Sequence, residues 1–255
     1  MKAMLTDDEI DRYARHLVLK EIGGQGQMKL KAAKVALVGM GGIGSPAALY
    51  LAAAGVGTLG LIDDDEVSLS NLQRQVLFGS KDIGAPKAEA AATHLGNLNP
   101  HCDCRIHCLR LSEDNAADVL GRYDVVLDGC DNFETRLLVN RVCHELKKPL
   151  VSAALGRFSG QLAMFEGSPC YQCLVPEIPP DAETCERVGV VGALAGIMGT
   201  MAALETIKVV TGAGETLRGK LLIFDGLDMT SRIVKLAADP ACPVCHSSEH
   251  PKIVS

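Results

Sequence analysis

Two pairs of cysteines have the spacing of a metal site. Cys170 and Cys173 enclose two residues, and Cys242 and Cys245 do the same farther along the chain. Two such pairs supply the four thiolates that a tetrahedral structural zinc ion takes, and a site closed by four protein ligands leaves no open position for chemistry. The spacing therefore predicts a structural four-cysteine zinc site that ties the C-terminal segment back to the fold. Four unrelated cysteines, or a redox pair, are the alternative.

A glycine-rich turn predicts a nucleotide site. It follows an apolar run and contains Gly39, Gly41, Gly42 and Gly44. The G-x-G-x-x-G spacing lets a backbone turn sharply and approach phosphates at a helix N-terminus, and an acid about 20 residues farther on can bind ribose hydroxyls. Asp63, which ends the next apolar run, is that acid. The turn alone does not choose between a dinucleotide and ATP.

Two cations and a further acid favour a triphosphate. Arg74 and Lys87 follow the strand that ends at Asp63, and together they could neutralise phosphates, arginine through a bidentate fork and lysine as a point charge. Asp131 follows another strand, at the edge where open α/β sheets bind ligands. Mg²⁺ takes one or two carboxylates together with waters and phosphates. A solvated acidic loop at Asp63–Glu66 and a helix N-cap at Asp131 are the alternative interpretations.

Cys185 is the best candidate for a nucleophile. It lies apart from both cysteine pairs, and Arg187 nearby favours its thiolate form. A partly buried bystander is the alternative. The remaining cysteines are expected to be structural, and they are Cys102, Cys104, Cys108, Cys130 and Cys143. His246 and His250 are expected at the surface.

The elements that must position these residues alternate between strands and helices. A capping box at Thr6–Glu9 begins a helix that continues to Leu17, and strand–helix–strand order in the first half is typical of parallel βαβ units. We therefore predict an α/β fold whose largely parallel sheet is extended by antiparallel strands after residue 156. The predicted strands are Lys34–Val38, Thr58–Ile62, Cys104–Leu109, Val125–Leu127, a strand from Pro149, Gln161–Phe165, Leu221–Phe224 and Arg232–Leu236, and the predicted helices are Ala47–Ala54, Pro86–Leu98, Phe133–Leu146 and 193–210.

Composition limits the class of protein. The 255 residues are 47% hydrophobic and 22% charged, with a formal net charge of -6, which is typical of soluble globular proteins and argues against nucleic-acid binding by bulk charge. The N-terminus has no apolar stretch of signal-peptide length. The uncharged run Val188–Leu204 is shorter than a membrane span, and we predict that it forms a buried helix together with the segment leading into that helix. Ten cysteines in such a chain indicate a reducing compartment, so we expect a cytoplasmic protein without a membrane partner.

The chain resembles the molybdopterin-synthase and thiamine-biosynthesis adenylyltransferases, the MoeB/ThiF branch of the ubiquitin-activating-enzyme superfamily. The resemblance runs from Arg12 to Cys245 and is carried by GMGGIG, D-x-D, SNLQRQ, the lysine after GAP, DN-x-x-TR and two CxxC pairs around a lone cysteine. It implies a Rossmann-like ATP-binding fold in a homodimer that uses ATP and Mg²⁺ to adenylate the C-terminal Gly-Gly carboxylate of a small ubiquitin-like sulfur carrier. Pyrophosphate is released, and the acyl-adenylate then receives sulfur to become a thiocarboxylate.

The resemblance also implies roles for single residues. Gly42 and its neighbours would contact phosphates, Asp63 the ribose and Asp131 magnesium, and Arg15 would enter the ATP site of the partner subunit. Asn71, Arg74 and Lys87 would bind the triphosphate. The remaining nucleotide-binding positions would be Asp65, Ser70, Leu72, Gln73 and Asn132. The four paired cysteines would bind zinc, while Cys185 matches a position that carries a covalent sulfur or thioester intermediate in some branches and is dispensable in others.

Domain limits and pathway are expectations of the same kind. We expect one domain over residues 1–255, with an N-terminal helical segment (1–30), a nucleotide-binding half (31–156) and a mixed-sheet half with the zinc knuckles (157–255). The sequence ends ten residues after Cys245, so we expect a separate sulfur donor such as a cysteine desulfurase. The residues do not separate the molybdopterin pathway from the thiazole pathway. An NAD(P)-dependent oxidoreductase, supported only by the glycine turn and Asp63, and a non-catalytic carrier-binding zinc scaffold are the alternative functions.

Overall fold

The strands form one eight-stranded sheet in the computed structural model of the chain, which describes residues 4–178 and 189–246. The strands are β1 (Lys34–Val38), β2 (Thr58–Ile62), β3 (Asp103–His107), β4 (Val125–Asp128), β5 (Leu150–Leu155), β6 (Ser159–Phe165), β7 (Lys220–Asp225) and β8 (Thr230–Lys235). Their spatial order is β3-β2-β1-β4-β5-β6-β7-β8. The first five pair in parallel and the last three antiparallel, which confirms the predicted fold class.

Helices cover both faces of the sheet. They are α1 (Asp7–Arg12), α2 (Ala14–Leu17), α3 (Gly23–Ala32), α4 (Gly44–Ala53), α5 (Lys87–Leu98), α6 (Ala116–Leu120), α7 (Phe133–Glu145), α8 (Tyr171–Leu174) and α9 (Gly192–Thr211). Successive side chains of a strand point to opposite faces. Val35 and Leu37 of β1 accordingly pack in the core that includes α4, α5 and α9, whereas Ala36 and Val38 pack in the core that includes α6 and α7.

The predicted N-terminal helix is confirmed at its start but breaks in the middle. Thr6 and Glu9 form the capping box, with the Thr6 amide donating to the Glu9 carboxylate at 2.8 Å and the Glu9 amide donating to the Thr6 hydroxyl at 3.3 Å. The helix does not run unbroken to Leu17, since α1 ends at Arg12. Tyr13 leaves helical geometry because its ring is buried against Gly55, and its hydroxyl accepts a hydrogen bond from Asn99 at 2.8 Å.

Helix α9 packs against the protein core with part of its surface buried. It is long and apolar enough to cross a membrane by length and composition alone. In this fold it packs against α3, α4, β5 and β6, and Leu194, Ala195 and Met198 are buried. These contacts agree with the buried helix predicted for this run, although Val188 itself lies outside the described residues.

Candidate nucleotide site

The glycine turn joins β1 to α4 at the carboxyl edge of the parallel strands. Gly39 follows β1 directly and has a φ of +87°, and a Cβ atom there would lie 3.2 Å from the Cα atom of Cys130. Gly44 begins α4, three residues before the predicted start, and a Cβ atom there would lie 1.9 Å from the Gly39 carbonyl oxygen. Both positions therefore require glycine, and the turn stays tight enough to expose its backbone to a ligand.

Asp63 is held in place by the backbone around it. One carboxylate oxygen accepts from the Met40 amide at 2.6 Å and the other from the Asp65 amide at 2.9 Å. Burial raises the pKa of Asp63 above its ordinary value, although the nearby Lys87 ammonium acts in the opposite direction. These contacts fix the carboxyl group beside the glycine turn, at the end of β2 where ribose recognition was predicted.

The two predicted cations reach the same cavity. Lys87 begins α5, is buried, and donates to the Asp65 carboxylate at 2.8 Å. The Arg74 guanidinium donates to the Ser70 carbonyl oxygen at 2.9 Å. Both side chains line a cavity of about 450 Å³, together with Asp63. Of the four acids in this segment, Asp63 is partly buried beside the cavity, whereas Asp64, Asp65 and Glu66 are exposed, as the solvated-loop alternative expects.

Asp131 also lines the cavity and is exposed. It does not cap α7, since the N-cap is Asn132, whose side-chain oxygen accepts from the Thr135 amide at 2.8 Å. The Asp131 carboxylate thus remains available to a ligand. Asp63, Asp64 and Asp65 also have carboxylate oxygens close enough to share a cation, and each oxygen of Asp63 accepts one backbone amide and keeps a second lone pair for a ligand.

The cavity brings together most of the predicted nucleotide residues. Those that line it are Gly39, Gly41, Gly42, Asp63, Asp65, Arg74, Lys87, Asp131 and Asn132. Predicted positions that do not line it in this chain are Gly44, Ser70, Asn71, Leu72, Gln73 and Arg15. Ser70, Asn71, Leu72 and Gln73 directly precede Arg74, and two contacts order this segment: the Asn71 side chain accepts from the Ser68 amide at 3.2 Å, and the Ser70 carbonyl oxygen accepts from Arg74. Cys185 lies outside the described residues.

Gln75 is a lining residue that the sequence analysis missed. It is 4% exposed and lines the cavity beside Gly41, and its Oε1 atom has no hydrogen-bond partner among the described residues. A buried carboxamide without a partner costs free energy unless a ligand or water satisfies it. Its position directly after Arg74 in SNLQRQ was the available signal.

A buried ion pair beneath the cavity also escaped the sequence analysis. Arg136 donates to the Asp128 carboxylate at 3.0 Å and to the Ser152 hydroxyl at 3.1 Å, and the same hydroxyl donates to Asp128 at 3.0 Å. The guanidinium also donates to the carbonyl oxygens of Cys130 and, at 2.8 Å, of Ala153. This network holds the connection between β4 and α7, which carries Asp131, against β5.

A second cavity adjoins the first. It has a volume of about 380 Å³ and is lined largely by apolar and aromatic side chains, among them Phe165, Tyr171 and Leu174. Phe133, Arg136 and Ala154 line both cavities. A chain segment lying in the second cavity could therefore place its end next to the nucleotide cavity.

The four paired cysteines meet at one point. Their sulfur atoms all lie within 4.8 Å of one another, with Cys170 and Cys242 3.6 Å apart and Cys173 and Cys245 3.4 Å apart. The close contacts thus join one pair to the other, so the four cysteines are not unrelated. The donor set fits the four-thiolate site predicted for zinc. His246 is exposed, as expected, with its Nδ1 3.3 Å from the Cys245 sulfur.

Comparison with known proteins agrees with this geometry. The profile described as the ThiF family matches residues 13–244. The chain belongs to the ThiF family. It is 46% identical over 255 residues to "Adenylyltransferase and sulfurtransferase MOCS3" of Aedes aegypti, covering 98% of this chain and 58% of the relative. It is 49% identical over 246 residues to the protein of that name from Drosophila persimilis, covering 94% of this chain and 54% of the relative. The chain thus spans about half the length of these relatives.

Solved structures show the same fold. A crystal structure of E. coli MccB with MccA-N7isoASN aligns with a TM-score of 0.82 at 22% identity, covering 93% of this chain and 75% of that one. A crystal structure of PaaA aligns with a TM-score of 0.79 at 24% identity, covering 92% and 76%. These two likenesses show the fold, and the family resemblance inferred from the motifs is confirmed by the profile match and the relatives above.

Proposed function

We propose that this protein uses ATP to adenylate the C-terminal Gly-Gly carboxylate of a small ubiquitin-like sulfur carrier, releasing pyrophosphate and preparing the carrier for thiocarboxylate formation. Membership of the ThiF family and the relatives named as adenylyltransferases support this activity. The observation that carries it is the joint placement of Arg74, Lys87 and Asp131 around the glycine turn. A dehydrogenase has no evident use for this set of charges.

The site residues would act by binding and charge compensation. The glycine turn presents backbone amides to the phosphates at the start of α4. Arg74 and Lys87 would offset charge on pyrophosphate as it leaves, and such preorganised cations favour the transition state more than the ground state. Asp63 would accept from the ribose hydroxyls. Asp131 would hold Mg²⁺, which would neutralise phosphate charge when bound.

The second cavity suggests where the carrier tail binds. A Gly-Gly tail has no side chains at its end and fits a narrow passage in an extended conformation. Bound in the second cavity, the tail could extend past Phe133 and Ala154, which line both cavities, toward the α-phosphate. The carboxylate would then attack ATP in an orientation that the protein fixes.

Arg15 suggests a role for a second subunit. It is exposed and does not line the cavity of its own chain, as expected for an arginine that completes the ATP site of a partner in a homodimer. Val18 and Leu19, close by in sequence, are also exposed, Val18 at 76%. Exposed apolar side chains beside a functional arginine favour a protein contact at this surface.

The remaining parts of the proposal concern metal, sulfur and location. The cysteine cluster would hold a structural zinc ion. We further propose a single adenylyltransferase domain, a cytoplasmic location and a cysteine desulfurase or another protein as sulfur donor, with Cys185 as a candidate for a covalent intermediate. The relatives named MOCS3 favour a carrier of molybdenum-cofactor synthesis, and the thiazole-pathway carrier is the other candidate.

Mass spectrometry of the carrier tests this function. The full chain is incubated with ATP, Mg²⁺ and either the molybdopterin-pathway carrier or the thiazole-pathway carrier, and a truncated carrier lacking Gly-Gly is the matched control. We expect an acyl-adenylate on one intact carrier and none on the truncated one. Failure of both intact carriers to be modified by protein that binds ATP would contradict the proposal.

A further inference from the structure

Helix α7 connects the nucleotide cavity to the cysteine cluster. Its N-cap, Asn132, lines the cavity, and Arg136, one turn farther on, holds the ion pair with Asp128. Asn140 follows after another turn. Residues four apart lie on the same face of a helix, so Arg136 and Asn140 share a face of α7. One face of α7 therefore presents a polar side chain at each site, Arg136 near the nucleotide cavity and Asn140 near the cysteine cluster.

Asn140 makes two hydrogen bonds at the cysteine cluster. It is 2% exposed, its Nδ2 donates to the Cys170 sulfur at 3.5 Å, and its Oδ1 accepts from the Tyr171 amide at 2.8 Å. The Tyr171 amide can only donate, so it must face the oxygen of the carboxamide. The orientation of the side chain is thus fixed, and it is the N–H group that points at sulfur.

A donor in this position suits a thiolate that binds a metal. Zinc held by four thiolates carries two net negative charges, and N–H groups aimed at the sulfurs compensate that charge. The Asp239 amide does so for Cys173, donating at 3.4 Å. Cys170 is buried, so water cannot supply the same compensation, and a protein donor is needed.

We propose that Asn140 is a positioning residue of the cysteine cluster: its N–H group stabilises the Cys170 thiolate toward bound zinc, while its carbonyl oxygen fixes the backbone of the knuckle through Tyr171. The inference rests on the zinc site proposed above. Groups that hydrogen-bond metal ligands commonly change metal affinity about 10–100-fold when they are removed. The same loss is expected for Asn140.

The Asn140→Asp variant separates the two hydrogen bonds. Aspartate has nearly the same shape and keeps an oxygen for the Tyr171 amide, but it replaces the N–H donor facing Cys170 with a second oxygen. We expect zinc affinity, measured by chelator competition on the full chain, to fall about 10–100-fold. With Co²⁺ in place of zinc, the sulfur-to-cobalt charge-transfer band should move to longer wavelength, because the thiolate becomes more electron-rich.

Val139→Ala is the matched control. Val139 is the neighbouring residue of α7, is fully buried, and its truncation lowers stability by removing packing without touching sulfur. It should leave the cobalt spectrum unchanged. If Asn140→Asp does not fold, Asn140→Ala, which removes both hydrogen bonds, should show the same shift of the cobalt band.

Three results would overturn the inference. The first is a zinc affinity and a cobalt spectrum in Asn140→Asp that equal those of the wild type. The second, if Asn140→Asp does not fold, is the absence of a band shift in Asn140→Ala. The third is a band shift in Val139→Ala as large as that in the Asn140 variant. A wild-type chain that takes up neither zinc nor cobalt would remove the zinc site and this inference with it. Adenylation is judged separately, by the acyl-adenylate on the carrier.

Discussion

The buried ion pair beneath the nucleotide cavity allows a quantitative prediction. In Arg136→Met the aliphatic stem is largely kept, but four acceptors lose the guanidinium: Asp128, Ser152 and the carbonyl oxygens of Cys130 and Ala153. The Asp128 side chain is 1% exposed, so its charge cannot be solvated by water. Breaking a buried pair by removing one partner costs about 3–5 kcal/mol.

The assay is unfolding by urea and by heat. For a chain of this size each kcal/mol corresponds to about 2–4 °C, so the melting temperature should fall by about 6–20 °C. Arg141→Met is the matched control on the same helix, because the Arg141 side chain is more exposed than that of Arg136 and pairs with Glu113 at the surface. This substitution should lower the free energy of unfolding by no more than about 1 kcal/mol.

A double-mutant cycle shows whether the pair itself is responsible. Asp128→Asn combined with Arg136→Met should cost less than the sum of the two single variants, by about 0.5–3 kcal/mol, because the charge left unpaired by one change is removed by the other. A loss below about 1 kcal/mol in Arg136→Met, or strict additivity in the cycle, would refute the reasoning.

The other predictions concern magnesium, zinc and ribose binding. Asp131→Ala should abolish carrier-dependent pyrophosphate release without lowering the melting temperature, since the carboxylate is exposed and does not cap α7. Glu134→Ala, on the first turn of the same helix, is the control. Pyrophosphate release at the wild-type rate from Asp131→Ala would reject the metal role. Cys173→Ala should lose zinc and unfold at a lower temperature, as measured by metal analysis and calorimetry. Cys108→Ala, which changes an exposed cysteine elsewhere, should do neither. An unchanged zinc content in Cys173→Ala would exclude the four-cysteine zinc site. Because burial raises the pKa of Asp63, its carboxylate is lost at a higher pH than that of a free aspartate, so ATP affinity measured by calorimetry should fall on acidification through that raised pKa. The Asp63→Asn variant should lack this step, and the same pH dependence in the variant would count against the ribose role.

The sequence was most informative where apolar runs are short and continuous. Strands β1 and β2 have the predicted bounds because Lys34–Val38 and Thr58–Ile62 are almost wholly apolar and are followed directly by Gly39 and Asp63, which favour turns. The bounds of helix α3 were not predicted, although most of it lies in the helical segment expected over residues 1–30, since GGQGQMKLKA has no apolar stripe and forms a helix only against the rest of the fold. The break of the N-terminal helix at Tyr13 was not predicted either, because it depends on contacts of Tyr13 with Gly55 and Asn99, which are distant in sequence.

The candidate site was predictable as far as its residues follow strands directly. Asp63 and Asp131 come just after β2 and β4, and parallel strands bring their carboxyl ends to one edge of the sheet. The Asp128–Arg136 pair and the cavity-lining Gln75 were not predictable, because their significance depends on burial and on partners distant in sequence. The spacing of the cysteine pairs predicted their convergence correctly, but not the contact with Asn140, thirty residues before Cys170.

ATP–pyrophosphate exchange tests the central claim most directly. Purified chain is given ATP, Mg²⁺ and labelled pyrophosphate, with no carrier or with the molybdopterin-pathway or thiazole-pathway carrier ending in Gly-Gly. The proposed function predicts exchange that requires one of the two carriers, is absent when its Gly-Gly is removed, and is lost in Asp131→Ala. Protein that binds ATP and zinc but shows no exchange with either carrier would contradict it.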